Sequence, residues 1–254
     1  MIKDGEMVFL HHEKSNYMIP FQKNTVFSTH KGNIRFEEGM EFGDRIVSTK
    51  DEEFFILKPS LCDWMMKVKR ATNIIYGKDA GYIIIELGIQ NGSKVIEIGT
   101  GSGSLTILLS RIVGKEGRIY SFEREEEHQK RALKNVDKLG IPENVEFTLK
   151  DPSETEDGFG LTDMDAVFID VPEPWKLIEH AHRALKGGGH LGTLSPNIEQ
   201  IQTTVDKLKE VGFARIQCTE ILTRDIRVKK NMTRPYNRMI AHTAYLLFAQ
   251  KINI

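Results

Sequence analysis

The sequence predicts an α/β protein, in which a doubly wound parallel sheet follows a small N-terminal all-β domain. After residue 94, apolar strand-like runs alternate with segments of helical periodicity, which is typical of a doubly wound sheet. A glycine-rich turn joins the first of these runs to the first helical segment. Before residue 60, short apolar pieces are instead separated by turn-forming residues, which indicates a separate β-domain.

The elements follow in chain order. Residues 1–60 contain four strand-like pieces: Met7–Leu10, Thr25–Phe27, Arg45–Ser48 and Phe54–Leu57. Residues 61–93 are expected to be a linking helical segment, because apolar residues recur there at helical spacing: Leu61, Trp64, Met65 and Val68. In the domain 94–254, we expect strands at 94–99, 118–123, 145–150, 166–170, 190–195 and near 214–222 and 243–250. Helices are expected between them at 104–113, 125–139, 174–186 and 197–211.

The glycine-rich turn at residues 99–105 predicts a nucleoside site. Its glycines are spaced by two, and Ser104 stands where a dinucleotide-binding fingerprint would have its third glycine, which disfavours NAD. Neither Lys nor Arg occurs between Gly99 and Leu109 to neutralise a phosphate, which disfavours ATP. A ligand with ribose and adenine but no phosphate remains. Glu97, just before the turn, would suit a cationic one such as S-adenosyl-L-methionine.

Three acids end the neighbouring predicted strands, where the ligand of a parallel sheet is bound. Glu123 stands about twenty residues after the turn, where a carboxylate can bind both ribose hydroxyls. Asp151 could accept a hydrogen bond from the adenine amine, or could simply cap a turn. Asp170 precedes the proline-stiffened Val171–Trp175, which places it on a rigid elbow beside an aromatic residue, although a plain turn former is the alternative.

Composition limits the function classes. The 254 residues carry a net charge of −1, so any site for nucleic acid must be a local patch. Such a patch is the segment from Arg224 to Arg238. This segment contains six basic residues and one acid, and it includes Lys229, Lys230 and Arg234. The two cysteines have no metal-type spacing, and no apolar run approaches the length of a membrane span. We therefore expect a cytoplasmic protein without a metal site or a membrane contact.

Several motifs together resemble one family. They are Ser28–Gly32, Met65–Arg70, Ile75–Asp79, Glu97–Thr106, Tyr120–Glu123, Asp170–Trp175, Ser195–Pro196 with Gln200, Arg234–Pro235 and His242–Thr243. With them, the chain resembles the tRNA (adenine-N1)-methyltransferases of bacterial and archaeal type, which modify adenosine 58 of the T-loop. The resemblance implies a Rossmann-like class I methyltransferase fold, S-adenosyl-L-methionine as cofactor, tRNA as partner and a homotetramer. It also implies that the N-terminal domain helps to hold tRNA.

By the same resemblance, Asp170 is the catalytic acid at the target base. The cofactor-binding set is then Glu97, Gly99, Thr100, Gly101, Ser102, Gly103, Ser104, Leu105, Glu123, Arg124, Asp151 and Asp170. The substrate-binding set is Tyr76, Lys78, Trp175, Lys229, Lys230, Arg234, His242 and Tyr245. The chain departs from the family at Gly77, where proline is common, and at Leu194, where an aromatic residue is common. If that aromatic residue stacks on a base, Tyr76, Tyr245 or Trp175 must replace it here.

Three other functions stay open at this stage. A methyltransferase for protein isoaspartate or a small molecule would share the cofactor half, but would not need the basic patch. An aminopropyl transferase would need more acids for a polycation than Asp170 and Glu173. A non-catalytic tRNA-binding subunit is expected to lack the glycine turn or Asp170, and both are present. The position 57 of tRNA could be a second target.

Overall fold

The computed structural model describes residues 1–70, 73–140 and 143–253, and these form two compact units, Met1–Lys67 and Val68–Ile254. The first unit contains six strands and one short helix: β1 (Met7–His12), β2 (Ser15–Pro20), β3 (Val26–Thr29), β4 (Gly32–Arg35), β5 (Arg45–Val47), β6 (Glu53–Leu57) and α1 (Leu61–Met66). Strands β2, β1, β6 and β5 form an antiparallel sheet, and β3 pairs with β4. Alternate residues of β1 and β6 point inward to a core that includes Leu10, Phe54 and Ile56.

The described residues of the second unit form nine strands and five helices: α2 (Gly77–Glu86), β7 (Lys94–Ile98), α3 (Ser104–Val113), β8 (Arg118–Glu123), α4 (Glu126–Leu139), β9 (Val145–Leu149), β10 (Met164–Ile169), α5 (Ile178–Ala184), β11 (Leu185–Ser195), α6 (Ile198–Val211), β12 (Phe213–Glu220), β13 (Ile226–Arg227), β14 (Arg234–Pro235) and β15 (Tyr245–Lys251). Seven strands form one sheet in the order β12, β15, β11, β10, β7, β8, β9. Only β15 runs antiparallel to its neighbours in this sheet. The predicted fold class is confirmed.

The central strands are buried on both faces, as their continuous apolar sequences require. Val95 and Ile96 of β7 and Val167 to Ile169 of β10 are fully buried or nearly so. The helices begin and end at the expected signals. Asn197 caps α6 by accepting a hydrogen bond from the Gln200 backbone N–H, and Gly140 ends α4 in the left-handed conformation. Pro142, expected beyond that end, lies outside the described residues.

Several elements differ from the prediction. Strands β2 and β4 and the hairpin β13–β14 were not predicted, and helix α2 lies within the predicted helical segment 61–93, where its bounds were not given. The helix expected at 174–186 is a 3-10 turn, Pro174–Leu177, followed by α5, because the chain extends into β11 already at Leu185. The predicted linker begins with α1, which belongs to the first unit, and Ser60 and Asp63 form a capping box at its start. In the described ranges, no helix has both the length and the apolar character of a membrane span.

Candidate active site

The site lies where the strand order of the large sheet reverses. Strand β7 pairs with β8 on one side and with β10 on the other, so the connections after β7 and β10 leave the sheet in opposite directions. Ligands of such sheets bind in the crevice beyond the strand ends at this point. Gly99 follows β7, and Asp170 follows β10. The Asp170 backbone N–H donates to the carbonyl of Ile98 at 2.8 Å, which places the glycine turn directly beside the acid.

The glycine turn approaches its neighbours more closely than any side chain would allow. Gly99 has a φ of +93°, and a Cβ there would clash with the backbone carbonyl of Asp170. Gly103 is the N-cap of α3 with a φ of +75°, and its Cβ position lies 3.2 Å from Ala132. The turn therefore needs glycine at both positions, as its sequence predicts.

A first cavity of about 460 Å³ opens in front of this turn. Its walls include the ends of four strands and bring together most of the predicted cofactor side: Gly99, Gly101, Glu123, Arg124, Asp151 and Asp170. The remaining turn residues line a much smaller recess of about 30 Å³ beside it: Thr100, Ser102, Ser104 and Leu105, with Glu97 at its base. The cavity is large enough for a nucleoside-sized ligand.

Glu123 is held by the backbone of the turn. Its Oε2 accepts a hydrogen bond from the Gly101 N–H at 2.8 Å, and its Oε1 accepts from the N–H groups of Arg124 and Glu125 at 3.0 Å. The side chain is nearly buried, although the residue borders the first cavity. A carboxylate fixed in this way is pre-oriented to accept hydrogen bonds from ribose hydroxyls.

Glu97 borders the small recess but is almost fully buried beneath the glycine turn. It is 2% exposed, and its Oε2 accepts hydrogen bonds from Thr106 Oγ1 and Ser121 Oγ, both at 2.6 Å. Burial raises the pKa of Glu97 to about 7, so the side chain is not a reliable anion at neutral pH. Ser121 also hydrogen-bonds Thr100 in the turn. Through Oε2, Glu97 therefore supports the turn from beneath.

Asp151 caps a turn, which was the alternative to its predicted role at the cofactor adenine. Its Oδ1 accepts hydrogen bonds from the Ser153 N–H at 3.0 Å and from Ser153 Oγ at 2.7 Å, so it caps the 3-10 turn Pro152–Glu154. Its Oδ2 lies 3.7 Å from the Arg124 guanidinium. The pKa of Asp151 is lowered, because the hydrogen bonds from Ser153 and the charge of Arg124 outweigh the opposing effect of burial. The residue borders the first cavity as an anion.

Asp170 lies in the wall that the first cavity shares with a second one. Burial, and next to it the negative charge of Glu123, raise the pKa of Asp170 to about 7. Among the described residues, none donates a hydrogen bond to its carboxylate. A carboxyl group with a pKa near neutrality, open to two cavities, is suited to take up a proton or to stabilise a developing positive charge.

The second cavity has a volume of about 520 Å³ and lies on the other side of Asp170. Of the predicted substrate set, it includes Tyr76 and His242. Leu194 lines this cavity too, at the position where the family commonly has an aromatic residue. Tyr245 stands behind His242, with the two rings 4.8 Å apart, and packs against the core. Tyr76 is thus the aromatic side chain of that set which borders the cavity itself.

Two predicted substrate residues are placed elsewhere by the structure. The Lys78 ammonium donates hydrogen bonds to Asp79 Oδ1, to the carbonyl of Ile221 and to Thr243 Oγ1, each at 2.7 Å, and its side chain is 10% exposed. All three of its donors are therefore used inside the protein, so Lys78 is not available to a phosphate. Trp175 borders a separate open groove with Lys207, not the cavities beside Asp170. Trp175 lies in the 3-10 turn Pro174–Leu177.

The basic patch forms an exposed hairpin. Strands β13 and β14 pair through Ile226 with Pro235 and Arg227 with Arg234, and Lys229 and Lys230 lie in the exposed connection between them. Sequence reasoning missed Asn73, which lines both cavities and the small recess, because a single Asn in an irregular segment carries no signal. In the described part of the chain, no group of three or more His, Cys, Asp or Glu residues is placed to hold a metal ion.

Known proteins are similar to this chain in sequence and in architecture. A model of the family described as "tRNA methyltransferase complex GCD14 subunit" matches residues 53–233. The tRNA (adenine(57)-N(1)/adenine(58)-N(1))-methyltransferase TrmI of Methanocaldococcus jannaschii is 36% identical over 247 residues, covering 88% of this chain and 87% of that protein.

Two crystal structures agree with this. The tRNA (m1A58) methyltransferase TrmI of Aquifex aeolicus is 31% identical with a TM-score of 0.81, covering 100% of this chain and 99% of that one. A Thermotoga maritima protein described as a SAM-dependent O-methyltransferase is 38% identical with a TM-score of 0.86, covering 100% and 95%. Because the family model covers most of the chain and the relatives match nearly its whole length, the chain belongs to the tRNA (adenine-N1)-methyltransferase family.

Proposed function

We propose that this protein methylates N1 of adenine 58 in the T-loop of tRNA, with S-adenosyl-L-methionine as the methyl donor. The observation that carries the proposal is the position of Asp170 in the wall between two cavities of about 460 and 520 Å³. The first cavity has the features of a nucleoside site. The second cavity lies next to it, close to the point where the chain returns from the basic hairpin. The family relatives with this activity support the assignment.

The residues of the first cavity fit the donor. The glycine turn gives a close backbone surface without a phosphate-binding cation, and Glu123 is oriented for the ribose. Asp151 offers its edge to the adenine amine, and Arg124 lies at the same wall. When bound, S-adenosyl-L-methionine supplies an electrophilic methyl group on a sulfonium centre. We assign residues 99–105 to its backbone cradle.

In the second cavity, the target adenine must be rotated out of the folded T-loop, because its N1 is not openly accessible there. Tyr76 offers a ring on which the base can stack. The N1 lone pair needs alignment more than a strong base, so positioning supplies most of the rate enhancement. Methylation leaves the base cationic. Asp170, near the exocyclic amine, stabilises this charge and can accept the proton that the amine then loses.

The substrate is bound by local positive charge. Lys229, Lys230 and Arg234 on the exposed hairpin contact phosphates, which position the RNA without reading its sequence. By family resemblance, the first unit contributes to holding tRNA, and the protein is a homotetramer in the cytoplasm. Analytical ultracentrifugation tests the tetramer: a monomeric species at micromolar concentration would contradict it.

The deciding experiment is nucleoside analysis. Purified protein is incubated with methyl-labelled S-adenosyl-L-methionine and an unmodified tRNA transcript, and the digested RNA is analysed for methylated nucleosides. We expect 1-methyladenosine, and its loss when adenine 58 is replaced by guanine. A transcript with adenine at both positions 57 and 58 shows whether position 57 is a second target, as the name of the M. jannaschii relative indicates for that protein.

The same analysis tests an oxygen substrate, which the description of the T. maritima relative would favour. Label found in a 2′-O-methyl nucleoside, or label transferred to a small hydroxylated acceptor but not to tRNA, would contradict the proposal. Label found in another base of tRNA would retain the donor site but reject adenine N1 as the target.

A further inference from the structure

The two ends of the basic hairpin segment meet at the edge of the large sheet. Strands β12 and β15 pair with Glu220 opposite Tyr245, so the chain leaves the sheet after Glu220 and returns to it at Tyr245. The residues between include the whole basic hairpin. Whatever fixes these two ends therefore also fixes the base of the proposed RNA-binding segment.

His242, close to the returning end, contacts Glu220 at the other end and Pro196 beyond β11 through the two nitrogens of its ring. Its Nδ1 lies 2.7 Å from Glu220 Oε1, and its Nε2 lies 3.0 Å from the backbone carbonyl oxygen of Pro196. A carboxylate and a carbonyl oxygen can only accept hydrogen bonds. A neutral imidazole has one N–H, so only the doubly protonated imidazolium donates to both partners. The same two contacts raise the pKa of His242 above its usual value.

The contact reaches the second cavity. His242 and Pro196 both line it, whereas Glu220 does not. A second cation completes the attachment, because the Lys78 ammonium holds the carbonyl of Ile221 and the hydroxyl of Thr243. The residue after Glu220 and the residue after His242 are thus both bound to helix α2.

Charged and titratable groups face His242 from each neighbouring element. Glu220 on β12 raises the pKa of His242, and Lys78 on α2 opposes it, with Asp79 paired to Lys78. Tyr245 on β15 packs against the ring. Besides His242, the titratable and charged residues that line the second cavity are Arg70, Tyr76, Asp79 and Asp170. The direct contact with Glu220 is the largest of the influences on the ring.

We propose that His242 is a positioning residue, which as an imidazolium joins Glu220 to Pro196 and so holds the ends of the basic segment against the wall of the second cavity. This inference rests on the proposed function, and it replaces our prediction that His242 contacts the substrate. The ring has no free donor for a phosphate or a base while both bonds are made. Loss of its proton breaks one of them and loosens the segment that binds RNA.

The test uses His242→Gln and Glu220→Gln, singly and together, with Glu116→Gln as a matched charge-removal control at an exposed loop. Both single variants are expected to lower kcat/KM for tRNA about tenfold, mainly through KM, with the affinity for S-adenosylhomocysteine unchanged. The double variant is expected to lose no more than either single one, because both remove the same contact. Glu116→Gln should match the wild type.

The pH profile separates a positioning role from a merely structural one. In the wild type, kcat/KM for tRNA should fall as the pH rises through the raised pKa of His242. Glu220→Gln should move this fall to lower pH, and His242→Gln should abolish it. The tRNA affinity of the same variants is measured over the same pH range by fluorescence anisotropy. If the wild type binds tRNA but does not methylate it, the proposed function is rejected, and the affinities still test the role of His242.

Three results would overturn the inference. They are a Glu220→Gln variant that matches Glu116→Gln in both assays, an alkaline limb that survives His242→Gln, and effects of the two substitutions that simply add in the double variant. Absence of tRNA binding by the wild type would reject the inference together with the proposed function.

Discussion

The backbone carbonyl of Asp170 lies against Gly99 so closely that a Cβ on this glycine would occupy the same space. This contact joins the turn that we propose to cradle the donor to the acid that we propose to act on the target base. The two are therefore positioned relative to each other by backbone atoms alone. Any side chain at residue 99 must displace either the turn or Asp170.

Gly99→Ala is expected to abolish donor binding and turnover, because the methyl group clashes with backbone and the φ of +93° is strained for alanine. Isothermal titration with S-adenosylhomocysteine measures the first effect. Gly92→Ala is the matched control, since Gly92 has a φ of +85° but nothing within 4 Å of its Cβ position. Equal effects of the two substitutions would show that backbone strain, not the contact with Asp170, is responsible.

Glu123→Gln is expected to weaken S-adenosylhomocysteine binding about tenfold or more, because an amide cannot accept from the Gly101 N–H and from ribose with both of its ends. The thermal stabilisation by this ligand should fall accordingly. Glu125→Gln, at the same cavity wall, is the control. A variant with wild-type affinity would remove Glu123 from the donor site.

Replacing Lys229 and Lys230 together by Glu is expected to weaken tRNA binding and to reduce the slope of log affinity against log salt by about one to two units, because two phosphate contacts are lost. Donor affinity should be unchanged. The double variant with Glu at Lys115 and Lys209, two exposed residues outside the hairpin, is the control. An unchanged salt slope would mean that the hairpin lies outside the RNA contact.

Asp170→Asn is expected to stabilise the protein at alkaline pH. The folded-state pKa of Asp170, about 7, lies above that of an unfolded aspartate, so its contribution to stability is greatest in acid and declines as pH rises toward about 7. Relative to the wild type, the free energy of unfolding of the variant should be higher by about 1–2 kcal/mol at about pH 8 and unchanged below about pH 4. The difference is smaller than the full pKa shift would give, because the open cavity screens part of the effect. Urea unfolding at both pH values measures this, with Asp225→Asn as an exposed control. A variant no more stable than wild type at the higher pH would show that Asp170 is not destabilised by its surroundings.

The positions of the glycine turn, Glu123, Asp151 and Asp170 could be predicted from the sequence, because each stands at the carboxyl end of a strand with a recognisable local pattern. The bounds of helix α2 could not be predicted, since two glycines and a run of three isoleucines within Gly77–Glu86 do not form a helical pattern. The internal pairing of Lys78 could not be predicted for a different reason. Its partner Thr243 lies 165 residues away, so the pairing depends on the folded sheet and leaves no local trace.

Trp175 and His242 show the same limit. A sequence can place an aromatic residue next to Asp170, but the 3-10 turn decides which side of the chain it faces. Likewise, the late His-Thr pair was visible as a motif, whereas the two acceptors that bind both nitrogens of the ring become adjacent only when β11, β12 and β15 pair.

The central claim is that Asp170 acts on the target adenine from the wall between the two cavities. The most direct test is the single-turnover rate of Asp170→Ala with saturating donor and tRNA, together with its affinities for both. We predict a rate at least about a hundredfold below that of the wild type, with both affinities nearly unchanged. Methylation of tRNA by this variant at a rate close to that of the wild type would contradict the account.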